Sequence, residues 1–390
     1  MARPLRIAHV APPLERVPPK AYGGTERVVH ELLVELDRRG HEVTTFASGD
    51  SDVPGRLIAT VPEALRPIGY SGDQLPYFLT TMLSVLDRAS EFDIIHSHLE
   101  WSSLLLARVS PVPVVTTFHG RLDLPWAEEI LSRPTPGLVA ISQNQASTHP
   151  QIRWEAVVHN GLTLTGAPFE RRRSEALCFV GRVAPEKGIV EAIEIANAAG
   201  RPLRIAAKVA PVGPEREYYD AMFKPALEAA GSSVEFLGEL ESHERDLLFA
   251  ESYASLMPGS WPEPFGLVTI ESLACGTPVI ARRIGALPEI IRDGIDGFFG
   301  DDTIAMAYKV ERVGELDRAA IRASVLDRFS ATRMTDRYLE VYARMLDRAA
   351  GRAGEEAEVE DEDAASSGVV SADRLAAKRV GRMEAVSVDR

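Results

Sequence analysis

LRIAHVAPPLERVPPKAYGGTERVVHELLVELDRRGHEVTTFA, residues Leu5–Ala47, reads as one strand–helix–strand unit. Two short apolar runs, Leu5–Val10 and Glu42–Ala47, flank the stretch Glu26–Arg39, in which Val28, Val29, Leu32, Leu33 and Leu36 recur at helical spacing. Thr25 suits the N-cap and Gly40 the C-terminal stop. A crossover helix between two strands is the βαβ arrangement that builds parallel sheets.

The same alternation continues outward through strands expected at Phe92–His96, Val112–Phe118, Gly137–Ile141 and Ala156–His159. Strands this uniformly apolar belong to a sheet covered on both faces. A polar stretch without periodicity, Thr163–Glu175, carries the run Arg171, Arg172, Arg173 and reads as a linker. A second series follows at Ala176–Val180, Leu203–Ala207, Val234–Leu237, Ala254–Met257 and Thr277–Ala281. The expected fold is α/β, with two doubly wound Rossmann-like domains, 1–165 and 166–331, facing across a cleft. Thr332–Leu346, with Met334, Tyr338, Val341, Tyr342 and Met345 at helical spacing, is expected to be the last ordered helix. Residues 351–390, which include the run Glu355–Asp363, are expected to form a disordered acidic tail.

A chain of 390 residues exceeds what one hydrophobic core usually serves, so a single small binding module is excluded. Hydrophobic residues at 45% and charged residues at 26% are globular values. With 43 Lys+Arg against 57 Asp+Glu, the formal charge of −14 argues against a nucleic-acid binder, which needs a broad basic face. Cys178 and Cys275 both sit in apolar runs and read as small buried hydrophobes of a reducing compartment. The start of the chain has too short an apolar run for a signal peptide, and no run reaches membrane-spanning length, so a cytoplasmic location is expected. Arg27, Arg38 and Arg39 on the first helix are offset by Glu31, Glu35 and Asp37, so charge gives no support for peripheral membrane contact.

Doubly wound sheets bind ligands at the carboxyl ends of their strands, and four segments there carry chemistry. In Pro262–Ala281, PEPFGLVTIESLACGTPVIA, Glu263 and Glu271 stand eight positions apart. A helix start near Pro264 would aim the backbone N–H groups of Gly266, Leu267 and Val268 at an anion. Were the whole interval helical, the two Glu backbones would lie about 12 Å apart, more than the roughly 5 Å between carboxyls of a retaining glycosidase. In Phe179–Gly188, FVGRVAPEKG, Arg182 and Lys187 sit where a helix begins, which favours a shared bound anion, although Glu186 offers an internal partner. Gly23 and Gly24 allow close backbone approach to a phosphate or sugar, or simply form a turn. His119, just after a strand, reaches the cleft edge. His96 and His98 have no further ligand nearby in sequence, and Asp50 and Asp52 fall in a loop, so no metal site is expected.

Taken in order, YGGTE, TTFHG, VVHNG, FVGRVAPEKG and EPFGLVTIESLACGTPVIA resemble the family 4 retaining glycosyltransferases, which have the GT-B fold. The resemblance spans roughly residues 5–346 and implies that the last helix crosses back to the N-terminal domain. It implies that Arg182 and Lys187 hold a donor diphosphate, Glu271 the ribose and Glu263 the hydroxyls of the transferred sugar, with Phe265, Gly266, Leu267 and Val268 meeting sugar and phosphate. His119 would lie beside the reacting carbon, and Gly23 and Gly24 near the phosphate or acceptor. The implied chemistry is retaining, metal-independent transfer of a hexose from a UDP-, GDP- or ADP-sugar donor to a hydroxyl acceptor, without a further cofactor. A sugar-nucleotide epimerase of the same fold and an inactive sugar-nucleotide-binding protein are the alternatives. The sequence departs from the family at His159, where proline is usual, at Lys208, which could touch the donor, and at Ile284–Ala286, where a glycine-rich turn is usual.

Overall fold

The computed structural model describes residues 3–20, 23–170 and 174–367, with side-chain surroundings through 351. Ala21, Tyr22 and the basic run Arg171–Arg173 lie outside the described residues. The chain divides into two units, 1–343, which holds both sheets, and 344–390.

The first sheet comprises β1 (Arg6–Val10), β2 (Glu42–Ser48), β3 (Arg56–Val61), β4 (Ile94–Ser97), β5 (Val114–Phe118), β6 (Leu138–Ala140) and β7 (Ala156–Val157), in the order β3-β2-β1-β4-β5-β6-β7. The second comprises β8 (Leu177–Arg182), β9 (Leu203–Lys208), β10 (Val234–Gly238), β11 (Ser255–Met257), β12 (Val279–Ala281) and β13 (Gly297–Phe299), in the order β10-β9-β8-β11-β12-β13. Every pairing is parallel. In each sheet the winding reverses beside the first strand, between β1 and β4 and between β8 and β11. Crevices outside the strand ends open at such switch points.

Helices on both faces bury the strands, which explains their lack of apolar–polar alternation. Ala8, Val10, Phe46, Ile95 and Phe92 form one core, and Leu177, Phe179, Ile205, Leu256 and Phe298 another. Full burial of such side chains contributes about 1.5–3 kcal/mol each. β3 escaped the sequence reading because it is a half-exposed edge strand, RLIATV, and β13, GFF, was not read as a strand either.

The first helix, Gly24–Arg38, begins earlier than expected, so Thr25 is not its N-cap. Gly23 takes that position at φ 157°, and a Cβ there would come within 2.7 Å of Pro19. Only glycine fits that approach. The last helix also corrects an expectation: it runs from Ala331 through Ser367, into the segment read as disordered. Its Ala, Glu and Arg are strong helix formers, which favours continuation past Leu346. Within the first unit this helix crosses to the N-terminal sheet, where Tyr342 Oη lies 2.7 Å from His96 and Tyr338 Oη 3.0 Å from Thr117. Among the described residues no helix is long and apolar enough to cross a membrane.

Candidate active site

The carboxyl ends of the two sheets enclose a cavity of about 450 Å³. The first sheet contributes Gly23, Gly24 and Glu26 after β1, Glu100 after β4 and His119 after β5. The second contributes Arg182 and Lys187 after β8, and Trp261, Glu263 and Phe265–Val268 after β11. The structure therefore gathers ten of the expected site residues on one cavity: Gly23, Gly24, His119, Arg182, Lys187, Glu263, Phe265, Gly266, Leu267 and Val268.

Two expected residues fall elsewhere. Glu271 is buried and does not line the cavity; its Oε1 is ion-paired to Arg27 of the first helix and lies 3.2 Å from Arg245. Lys208 lines a second cavity of about 660 Å³, with Glu239 at 3.8 Å, and that cavity shares Arg66 and Arg182 with the first. The interval between Glu263 and Glu271 is helical only from Leu267, where Gly266 at φ 108° stands as the N-cap. The straight-helix spacing of about 12 Å therefore does not apply.

The cations of the C-terminal wall are balanced by carboxylates. Lys187 is ion-paired to Glu263, and Arg182 to Glu215 and, at 3.0 Å, to Glu186. Gly188 turns at φ 73° between the Pro185–Lys187 turn and the helix Ile189–Ala198, with no room for a Cβ against Pro258 and Gly259 at 2.9 Å. Lys187 Nζ also lies 5.8 Å from the Trp261 ring, and Arg121 of the other sheet domain stacks on that ring at 4.7 Å. The start of the helix Leu267–Ala274 lines the cavity at Gly266, Leu267, Val268 and Thr269, where the helix dipole favours an anion.

On the opposite wall, one carboxylate oxygen of Glu100 accepts the backbone N–H groups of His119 at 2.9 Å and Gly120 at 3.1 Å. Glu100 holds φ 51°, an uncommon conformation for a non-glycine residue and one that concentrates at functional sites. Burial pushes the carboxyls of Glu26 and Glu100 up to about 7, although the two N–H donors oppose the shift at Glu100. The same burial lowers His119 to about 4, so its imidazole is neutral at neutral pH.

Sequence reasoning missed Glu26, Glu100, Trp261 and Glu289. Glu26 ends the YGGTE motif already singled out, and Glu100 and Trp261 stand next to other such segments, in HSHLE and SWPEPFG, but nothing in spacing alone aims their side chains inward. Glu289 gives the departure at His159 a physical reason. It accepts from the backbone N–H groups of Gln143 and Asn144 at 2.8 Å each and from His159 at 2.8 Å, joining the two sheet domains. Burial would raise its carboxyl, but His159 and the two N–H groups bring it below its ordinary value. His159 thus stands where proline is usual as a hydrogen-bond donor.

The described residues also correct the reading that His96 and His98 lack a nearby third ligand, since His9 brings its nitrogens within 4.8 Å of theirs. Both nitrogens of His96 are already bonded, to Tyr342 at 2.7 Å and Thr117 at 2.8 Å. Cys178 and Cys275 are free and buried, and burial pushes their thiols up to about 11 and about 12, which makes both inert.

Comparison with known proteins agrees with this architecture. Residues 22–165 match the family described as Glycosyltransferase Family 4, and residues 167–322 match Glycosyl transferases group 1. The chain is 30% identical over 387 residues to the D-inositol 3-phosphate glycosyltransferase of Mycobacterium bovis, covering 83% of this chain and 79% of that protein. It is 26% identical over 337 residues to a glycogen synthase of Mycobacterium tuberculosis, covering 72% and 79%. Among solved structures, AviGT4, a glycosyltransferase involved in avilamycin A biosynthesis, superposes with a TM-score of 0.66 at 27% identity, covering 88% of this chain and 98% of that one. The chain belongs to the family 4 glycosyltransferases and has the GT-B fold.

Proposed function

We propose that this glycosyltransferase moves a hexose from a nucleoside-diphosphate sugar to a hydroxyl acceptor, with retention of anomeric configuration and without an essential metal. The observation that carries the reading is one cavity wall holding Arg182, Lys187, Glu263 and the N-terminus of the Leu267 helix, with His119 on the facing wall. Support for a nucleoside-diphosphate donor comes from the complexes of Anabaena HepE with UDP-glucose and of Arabidopsis starch synthase IV with ADP and acarbose.

In this reading the diphosphate takes the place of the carboxylates now paired with Arg182 and Lys187. Glu263, released from Lys187, turns to the sugar hydroxyls. As the glycosidic bond lengthens, negative charge grows on the leaving phosphate and is stabilised by both cations and the helix N–H groups. The leaving phosphate oxygen accepts the acceptor's hydroxyl proton on the same face, which gives retention. The ribose contact expected of Glu271 falls to its Oε2, which has no partner among the described residues, because Arg27 and Arg245 both pair with Oε1.

The test is nucleoside diphosphate release from a panel of UDP-, GDP- and ADP-sugars, with and without EDTA, followed by NMR of the product's anomeric proton. EDTA-resistant release with a retained anomer is expected. Interconversion of donor sugars without an acceptor would establish the epimerase instead.

A further inference from the structure

Behind His119 lies a row of buried imidazoles to which donor binding assigns no task. His9 on β1 and His96 on β4 are register partners, and His98 follows two residues later, so the topology sets three imidazoles on one sheet face. His98 Nδ1 lies 2.9 Å from His119 Nε2, and His98 Nε2 makes a longer contact of 3.5 Å to His9 Nδ1. The row therefore runs from the cavity wall inward and ends at His9 Nε2, a buried atom without a partner among the described residues. Burial keeps each ring uncharged, lowering His9 to about 3 and His98 well below its ordinary value.

A neutral imidazole has one N–H and one lone pair, so the row can run in two directions only. If His119 donates from Nε2, His98 must donate from Nε2 to His9 Nδ1. The only N–H of His9 is then Nε2–H, buried with nothing among the described residues to accept it. If His9 donates from Nδ1 and His98 from Nδ1, the unpartnered atom is a lone pair. Orphaned buried N–H groups are the rarer and more costly defect, which selects the second direction. His119 then receives a hydrogen bond at Nε2 and carries its own proton on Nδ1, the nitrogen left for the cavity that His119 lines.

We propose that His98 and His9 are positioning residues that lock His119 in its Nδ1–H tautomer, so that the cavity receives a fixed hydrogen-bond donor aimed at an oxygen of the bound sugar. Only the last clause rests on the sugar-nucleotide reading; the tautomer is a property of the unliganded protein.

The experiment is two-bond ¹H–¹⁵N correlation on full-length protein labelled with ¹⁵N-histidine, with His119→Gln used to assign the ring, alongside donor kinetics. In the wild type, His119 is expected to be protonated at Nδ1 and bare at Nε2. His98→Phe is expected to return it to the Nε2–H form that free histidine favours and to raise the donor KM about tenfold with less change in kcat, the loss of one hydrogen bond. His98→Gln, whose amide can still donate, is expected to restore both. Should the phenylalanine variant misfold, His9→Leu takes its place, and a mixture of His119 tautomers is expected. An Nε2–H His119 in the wild type, or a tautomer indifferent to His98→Phe and His9→Leu, would overturn the proposal. So would a stoichiometric metal found by mass spectrometry of the purified protein, since it would claim the same nitrogens. The expected tautomers without any sugar transfer would instead refute the donor reading and leave the histidine row standing.

Discussion

Arg27, on the first helix of the N-terminal sheet domain, is ion-paired to Glu271, a buried carboxylate of the other sheet domain that is only 2% exposed. Arg245 approaches the same oxygen at 3.2 Å. The pair ties the two sheets together beside the cavity. Arg27→Met is expected to lower stability by about 1–3 kcal/mol, because Glu271 keeps only Arg245. Glu271→Ala leaves Arg27 facing a void and Arg245 with Asp246 alone, and is expected to lose about 3 kcal/mol. Urea unfolding measures both. A Glu271→Ala variant of normal stability whose donor KM alone rises would assign the carboxylate to the nucleotide alone.

Lys187 and Arg182 are expected to act on the leaving group rather than on folding. Each is partly exposed and paired at the surface of the cavity, so Lys187→Ala and Arg182→Ala should change stability little. Transfer should fall by about 10²–10³-fold for each, the range seen when one donor to a developing anion is removed. Rates near wild type, measured as nucleoside diphosphate release, would refute the phosphate role.

Glu26 predicts a pH dependence. Burial raises its carboxyl from an ordinary 4.5 to about 7, so the folded chain holds a proton that the unfolded chain has already released. The stability this group contributes is full below the unfolded value and is lost as pH rises through the folded one. Glu26→Gln removes that loss. Thermal melts should show the variant gaining on wild type between pH 5 and pH 8, by on the order of 2 kcal/mol at the upper end. A constant difference across that range would mean that Glu26 is ionised in the folded protein.

Gly285→Ala tests how the Glu263 loop is placed. Gly285 turns at φ 60°, and a Cβ there would lie 2.5 Å from Glu263 N and 2.6 Å from Glu263 O. Ala286 donates its N–H to Glu263 O at 2.9 Å. The added methyl must push this backbone away, and transfer should drop about 10²-fold through misplacement of Glu263 and Lys187. Unchanged kinetics would mean that the loop tolerates the shift.

The parallel strands were legible because burial on both faces leaves an apolar run whatever its neighbours are, as in Leu203–Lys208. β3 was not, since an edge strand mixes exposed and half-buried positions. Of the site, the glycines and the residues at strand ends were legible because turns and helix starts leave local chemical signatures. Glu100 and Trp261 were hidden because their inward aim depends on strands distant in sequence. The ion pair of Glu271 was hidden for the same reason: its partner Arg27 lies 244 positions away.

The sequence by itself determined two series of buried parallel strands, the turns at their carboxyl ends and a membership carried by ordered motifs, because hydrophobic periodicity and backbone chemistry act over a few residues. Tertiary structure alone decided which of those residues share a cavity. Burial of Glu26 and Glu100, the pairing of Glu271 with Arg27, the place of His159 against Glu289 and the row from His119 to His9 all arise where separate strands and helices converge. Desolvation and hydrogen-bond pairing exist only once those surfaces meet.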